Sequence, residues 1–362
     1  MIKTHGIHHI SSMVGHGQRN MDFYAGVLGQ RLVKKTLNYD DKSMYHLYFG
    51  NHQASTGLIT TFPMNDSNDG EVGSGQVGIA SYGIRPESFE FWKNRLKKFN
   101  IEVSEDLRFN KKRLSFKDLD GLGIELIETD KGPKNLWEFN GVDQDNAIVG
   151  IDSAVIYSAK PEETLKLFTD ILGYEVVDSN SDNFLLSIND DLGGSIELAK
   201  DPHNRGIMGV GTVHHIAFAV NNDEIYEWKN KLEENGYRPT EVKNRKYFKS
   251  LYFRESGGLL IELATKGPGM TVDEDVENLG KNLIIPDHYQ NDDHSHLMPL
   301  FVREVDELIG YGYRDKYEYD VLEKKHKIMN QIKEIKSKKD ISEEDRIEIE
   351  KLKAKYLDKG EY

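Results

Sequence analysis

The chain has 362 residues, long for one domain and ordinary for two. Its net charge of −14 and lack of any dominant basic block argue against nucleic acid as a partner, because phosphate binding needs a positive surface. The absence of cysteine excludes disulfides and thiolate metal sites and fits a cytoplasmic protein.

The first residues, MIKTHGIHHI, lack the apolar stretch of a secretion signal, and nowhere do 18 apolar residues run together to span a membrane. A strand is predicted at IHHIS (7–11), followed by a helical pattern at MDFYAGVLG (21–29) and three short strands, RLVKKTLNY, MYHLYFG and TGLITTF. The same order then returns. Strand QVGIA (76–80) precedes helix FEFWKNRLKKFN (89–100) and strand GIELIE (123–128). Strand IVGID (148–152) precedes helix TLKLFTDILG (164–173) and strand SIELAK (195–200). Strand VHHIA (213–217) precedes helix IYEWKNKLEENG (225–236) and strand LIELAT (260–265). Leu165, Phe168 and Leu172 make the stripe of an amphipathic helix, and Gly29, Gly173 and Gly236 stand where helices would stop.

With His9, Gly78, Gly150 and His215 aligned, Glu125, Glu197 and Glu262 fall at one common spacing. The chain is therefore expected to be an α+β protein of four tandem βαβββ modules with a C-terminal helical extension. WKNRL recurs as WKNKL, and FYAGVLG resembles LFTDILG, so a pair of modules was duplicated. The expected domains are 1–135 and 145–268. From 304 to 362 the chain turns highly charged. Leu322, Ile328, Ile332 and Ile335 form one helical stripe; Ser342 and Asp345 form a capping box ahead of Ile349, Leu352 and Tyr356. This helical hairpin is expected to pack on the body or on a second subunit, a homo-oligomer being compatible with it.

Across about residues 5–265 the repeat resembles the vicinal-oxygen-chelate superfamily of glyoxalase I, bleomycin-resistance proteins and extradiol dioxygenases. The resemblance implies paired modules curling into a cup that can hold a divalent metal. Strand alternation says which side chains enter it. His214, Ile216, Phe218 and Val220 share a bulky apolar face, expected to pack under the helix. His215, Ala217 and Ala219 share the open one, and His9 and Ser11 follow the same parity. If module one faces module four, a cup gathers His9, His215 and Glu262, the two-histidine, one-carboxylate set of non-haem Fe(II). Pairing of chain neighbours would leave one histidine per cup, a poor site. The chemistry thus favours one with four and two with three, with Glu125 and Glu197 as structural or hydrogen-bonding groups in a cup without histidine. Of the other histidines, His288, His294 and His296 lie in an acidic loop expected to be a solvated lid. His5, His16, His46, His52, His203 and His326 form no constellation.

The stretch NRKYFKSLYFRESGGLLIELAT (244–265) resembles the hydroquinone ring-cleaving dioxygenases of the methylhydroquinone and chlorohydroquinone type, as do GIHHISSMVG, FYAGVLGQRLVKKTLNYDD and YHLYFG. That resemblance implies Fe(2+) on His9, His215 and Glu262, with Mn(2+) also accepted by such a set. It implies catalytic roles near the metal for His8, His214, Arg245 and Tyr252, although parity puts His8 and His214 on the helix side. Ser11 keeps the hydroxyl of a threonine common in related enzymes and is a substrate-binding candidate. Residues 269–303 resemble a capping segment. The expected activity is opening of hydroquinone or related diphenol rings with O2, removing quinone-forming aromatics. Two alternatives stay open. A glyoxalase-type lyase or isomerase usually wants a fourth protein ligand, and module one offers no glutamate for it. An aromatic-drug-binding resistance protein would lack a metal triad.

Overall fold

The structure, a computed structural model, describes residues 2–54, 57–64, 67–294, 297–308, 327–328, 331–338 and 340–356. Module one comprises β1 (Ile7–Val14), β2 (Arg31–Asn38), β3 (Asp41–Gly50) and β4 (Leu58–Pro63). Module two comprises β5 (Gln76–Ile84), β6 (Ser104–Arg108), β7 (Lys111–Lys117) and β8 (Gly123–Glu128). Module three comprises β9 (Gly150–Tyr157), β10 (Glu175–Ser179), β11 (Asn183–Ser187) and β12 (Ser195–Ala199). Module four comprises β13 (Thr212–Val220), the short β14 (Lys243–Asn244), β15 (Phe248–Arg254) and β16 (Leu260–Pro268). A two-residue strand, β17 (Leu283–Ile284), follows.

The strands form two curled sheets. One has the order β14-β15-β16-β13-β1-β4-β3-β2-β17 and joins modules one and four. The other, β10-β11-β12-β9-β5-β8-β7-β6, joins modules two and three. This is the pairing that the chemistry favoured. Each sequence half gives one module to each sheet, so neither half hydrogen-bonds as a unit of its own.

Helices α1 (Gly17–Met21), α2 (Phe89–Lys98), α3 (Pro161–Lys166) and α4 (Ile225–Glu234) cover the convex faces. Trp92 of α2 and Trp228 of α4 are wholly buried at matching places, against the core that holds Ile216, Phe218 and Val220. Modules one and three depart from the expected regular helix. In both, the helix continues as a π-helical turn (Asp22–Val27 and Leu167–Leu172), closed by Leu28 N–H to Phe23 O and Gly173 N–H to Phe168 O. An irregularity shared by two modules, with FYAGVLG and LFTDILG inside it, supports the duplication.

Two β-bulges decide the site. β1 pairs antiparallel with β13 through Ile7↔Phe218 and then His9↔Ala217, so His8 is an extra residue. Further on, Ser11↔His215 is followed by Ser12↔Val213, so His214 is extra on the other strand. A bulge turns its residue off strict alternation. That corrects the parity reading, which put His8 and His214 under the helices. The second sheet repeats the device at Gly78 and Asp152. Register therefore makes Ile79 and Ser153, not Gly78 and Gly150, the counterparts of His9 and His215. The equal spacings to the three glutamates joined positions that are not equivalent.

Residues 269–303 run along the free edge of β2. Leu283 and Ile284 pair with Lys35 and Thr36, the wholly buried Lys34 ammonium pairs with Asp273 and Glu274, and Arg303 pairs with Asp22. Covering an edge strand removes a template for aggregation. In the extension, Ile328, Ile332, Ile349 and Leu352 form an apolar cluster of their own with Ile335 against it. Ser342 and Asp345 exchange the expected capping hydrogen bonds ahead of the helix Glu343–Tyr356. Leu322, His296, His326 and the side chain of Tyr356 lie outside the described residues.

Candidate metal centre

At the middle of the nine-stranded sheet, β1, β13 and β16 bring His9, His215 and Glu262 together. His9 Nε2 lies 3.2 Å from His215 Nε2 and 3.2 Å from Glu262 Oε2; His215 Nε2 lies 2.8 Å from the same oxygen. Glu262 is completely buried, and neither of its oxygens has a partner at hydrogen-bond geometry. Burial alone would raise its carboxyl, yet the two facing histidines hold it well below the usual carboxylate range. Three donor atoms thus converge around Glu262 oxygens that find no partner at hydrogen-bond geometry, although buried polar atoms are almost always satisfied. Separations of this size suit neighbouring ligands on one small cation held at about 2.1 Å. Among the described residues no other histidine, aspartate or glutamate group converges in this way. The N₂O donor set fits a divalent transition metal.

The bulged histidines stand behind His9 and His215. His8 Nδ1 is 2.8 Å from His9 Nδ1, and His214 Nδ1 is 2.8 Å from His215 Nδ1. If His9 and His215 offer Nε2 to a metal, their Nδ1–H groups donate backwards to these partners. That requires neutral acceptors. Burial lowers His8 to about 3 and His214 to about 4, with the neighbouring ligand histidine adding to the effect. A base whose folded pKa lies below its unfolded one destabilises the fold as pH drops. For these two the loss begins near 6.5 and continues down to the folded values. Between pH 6.5 and 5, metal-free protein should lose about 1 kcal/mol per pH unit for each such histidine. Urea unfolding of a His8→Phe variant across that range should show a slope shallower by one such increment.

His9 and His215 line a cavity of about 340 Å³, together with, among others, Phe62, His214, Arg245, Phe248 and Tyr252. Tyr252 sits beside Glu262 in the ladder, its ring 5.6 Å from that of His215. Arg245 lies against Tyr252 and donates to Asp40 at 2.7 Å, tying module four to module one across the mouth. His8 and Ser11 are not among the lining residues; Ser11 is buried and sits 2.6 Å from Thr60 Oγ1. No residue of 269–303 lines the cavity either, but His288 and Tyr289 hydrogen-bond the carbonyl of Tyr39, which does. His294 hydrogen-bonds the Tyr289 carbonyl.

Sequence reasoning missed a polar group on the module-one side of the cavity: His46 and Tyr48, with the buried Thr60 hydrogen-bonded to His46. Ladder register identifies Thr60. In module four Ala217 pairs with Glu262; in module one its counterpart Ser11 pairs with Thr60. Thr60 thus occupies the position in module one that Glu262 holds in module four. The signal for His46 and Tyr48 was the alternation in MYHLYF, which puts Met44, His46 and Tyr48 on one face; all three line the cavity.

The second cup is held differently. There Glu125 and Glu197 bind Arg113, at 3.0 and 2.7 Å, and Arg108, at 2.9 and 2.6 Å. Two guanidiniums hold the cup's glutamates in place of a metal. This supports the expected structural role of those glutamates.

The model of the glyoxalase/bleomycin resistance protein/dioxygenase superfamily matches residues 6–126 and 150–263. The chain belongs to that superfamily. Within the superfamily it groups with the ring-cleaving dioxygenases. A Bacillus subtilis protein named "Putative ring-cleaving dioxygenase MhqO" is 43% identical over 309 residues, covering 84% of this chain and 99% of that one. The chlorohydroquinone/hydroquinone 1,2-dioxygenase of Sphingobium indicum is 34% identical over 294 residues, covering 78% and 91%. A Bacillus subtilis crystal structure titled a "putative dioxygenase" superposes with a TM-score of 0.83 at 42% identity, covering 84% of this chain and all of that one. Glyoxalase I from Zea mays shares the superfamily fold alone, at 13% identity and a TM-score of 0.54.

Proposed function

We propose that this protein is an Fe(II)-dependent dioxygenase that opens the rings of hydroquinones or related diphenols with O2. The observation that carries the reading is the convergence of His9, His215 and Glu262, whose buried oxygens find no partner at hydrogen-bond geometry, beside an aromatic-lined cavity. The names of the relatives point to the substrate class. Thr60, where a fourth carboxylate ligand would stand, speaks against the glyoxalase-type alternative.

When bound, Fe(II) would supply a low pKa for a phenol hydroxyl and a path for electrons between the ring and dioxygen. The residues supply the rest. Glu262 offsets the cation's charge, while His8 and His214 fix the planes of the ligand imidazoles from behind. Arg245, steadied by Asp40, places positive charge where an oxygen of the ring gains anionic character. Tyr252 offers its hydroxyl to the same region. His214, at the cavity wall, accepts the His215 Nδ1–H and so keeps its own proton on Nε2, as a hydrogen-bond donor. Ser11 acts through Thr60, whose hydroxyl it orients. Phe62 and Phe248 exclude water and accept a planar ring.

Anaerobic loading with Fe(II) followed by oxygen-electrode assays tests the proposal. Methylhydroquinone should drive O2 uptake. Catechol and the glutathione hemithioacetal of methylglyoxal should not. No uptake at full iron occupancy would overturn it.

A further inference from the structure

The nine-stranded sheet repeats its architecture about the β1–β13 seam. Thr60 pairs with Tyr48 in module one as Glu262 pairs with Tyr252 in module four. Tyr48 is therefore the counterpart of Tyr252, on the opposite wall of one cavity. Its hydroxyl lies 2.9 Å from Nδ1 of His46, whose Nε2 lies 2.9 Å from Thr60 Oγ1, which in turn lies 2.6 Å from Ser11 Oγ. All four side chains are buried.

A neutral imidazole donates from one nitrogen and accepts at the other, so these hydrogen bonds run in one direction at a time. Burial enforces that neutral form by pushing His46 well below its ordinary value. In either direction the Tyr48 oxygen ends the chain with hydrogen-bonding capacity left over. The imidazole itself is clamped, its ring 4.1 Å from that of Tyr48 and 4.3 Å from that of Phe62. The triad marks one end of the cavity for one substrate oxygen. A preorganised hydroxyl on another wall has a use only if the substrate carries a second polar group.

We infer that the Tyr48 hydroxyl, aimed by His46, hydrogen-bonds the diphenol oxygen that does not face His9, His215 and Glu262, and so selects diphenols over monophenols. The inference rests on the ring-cleaving reading. Tyr48 is the substrate-contacting group; His46 is a positioning residue. A site built around a buried hydroxyl rejects an analogue lacking the partner, because its own polar group is left unpaired.

Calorimetric titration of anaerobic Fe(II)-loaded protein with hydroquinone and with p-cresol, which has a methyl in place of the second hydroxyl, reads this directly. The wild type should prefer hydroquinone. Tyr48→Phe should lose about tenfold in hydroquinone affinity and leave p-cresol within twofold. His46→Phe, which keeps the ring clamp but cannot hold the Tyr48 hydroxyl, should also lose preference, and His46→Gln should restore part of it. One iron per chain in each variant reports an intact cup. Equal weakening of both ligands by Tyr48→Phe, or of neither, overturns the inference. If that same variant still consumes O2 with methylhydroquinone, the ring-cleaving reading survives. A wild type that binds neither ligand and consumes no O2 removes both.

Discussion

Replacing Glu262 by glutamine should abolish ring-opening turnover while leaving the protein folded. Glutamine keeps the shape but removes the only anionic donor of the triad. Loss of a group that merely supports a metal ligand typically costs 10- to 100-fold in metal affinity, so loss of the charged ligand itself should exceed ~100-fold. The variant should retain well under a tenth of the wild-type iron after desalting and show no methylhydroquinone-dependent O2 uptake. Glu262 is held by His9 and His215 alone, so no wider network collapses with it. Unfolding of the metal-free variant should stay within about 1–2 kcal/mol of the metal-free wild type, the range of an ordinary substitution. Full iron binding together with normal turnover would contradict the assignment.

The largest effect on stability is expected at the other cup. Arg113 is almost fully buried and bridges Glu125 and Glu197, with Arg108 as the second cation. Two carboxylates and two guanidiniums balance. Arg113→Met would leave one buried negative charge uncompensated, and removing one partner of a buried ion pair costs about 3–5 kcal/mol. Urea unfolding should show a loss of that size. Adding Glu125→Gln to the Arg113→Met background should recover much of it, because the two changes share one network. Loss below about 1 kcal/mol, or no recovery in the double variant, would show that the cup does not depend on charge balance. Iron binding should survive in the single variant, since Arg113 belongs to the other sheet.

The α+β class and the four modules were legible because each module repeats both a hydrophobic period and its punctuation. The pairing of one with four followed from chemistry: only that arrangement brings two histidines to one cup. Strand parity placed His9 and His215 on the open face, but it assumed unbroken alternation. The bulges at His8 and His214 broke it, and no local signal in IHHI or VHHI announces an extra residue in a ladder. The repeated glutamate spacing suffered from the same defect, since Gly78 is itself a bulge and Gly150 stands before one. Thr60 and His46 were invisible for another reason. Their importance lies in cross-strand register, with Ser11 beside Thr60 and Thr60 beside Tyr48, and register is set by loops that periodicity does not constrain. Arg108 and Arg113 carry no signal in the sequence, because their partner Glu197 comes from another module.

The most direct test is anomalous diffraction at the iron edge from crystals loaded anaerobically with Fe(II). One strong peak per chain should lie in bonding contact with His9 Nε2, His215 Nε2 and a carboxylate oxygen of Glu262. A fully loaded crystal whose iron sits elsewhere, with those three side chains free of it, would contradict the account.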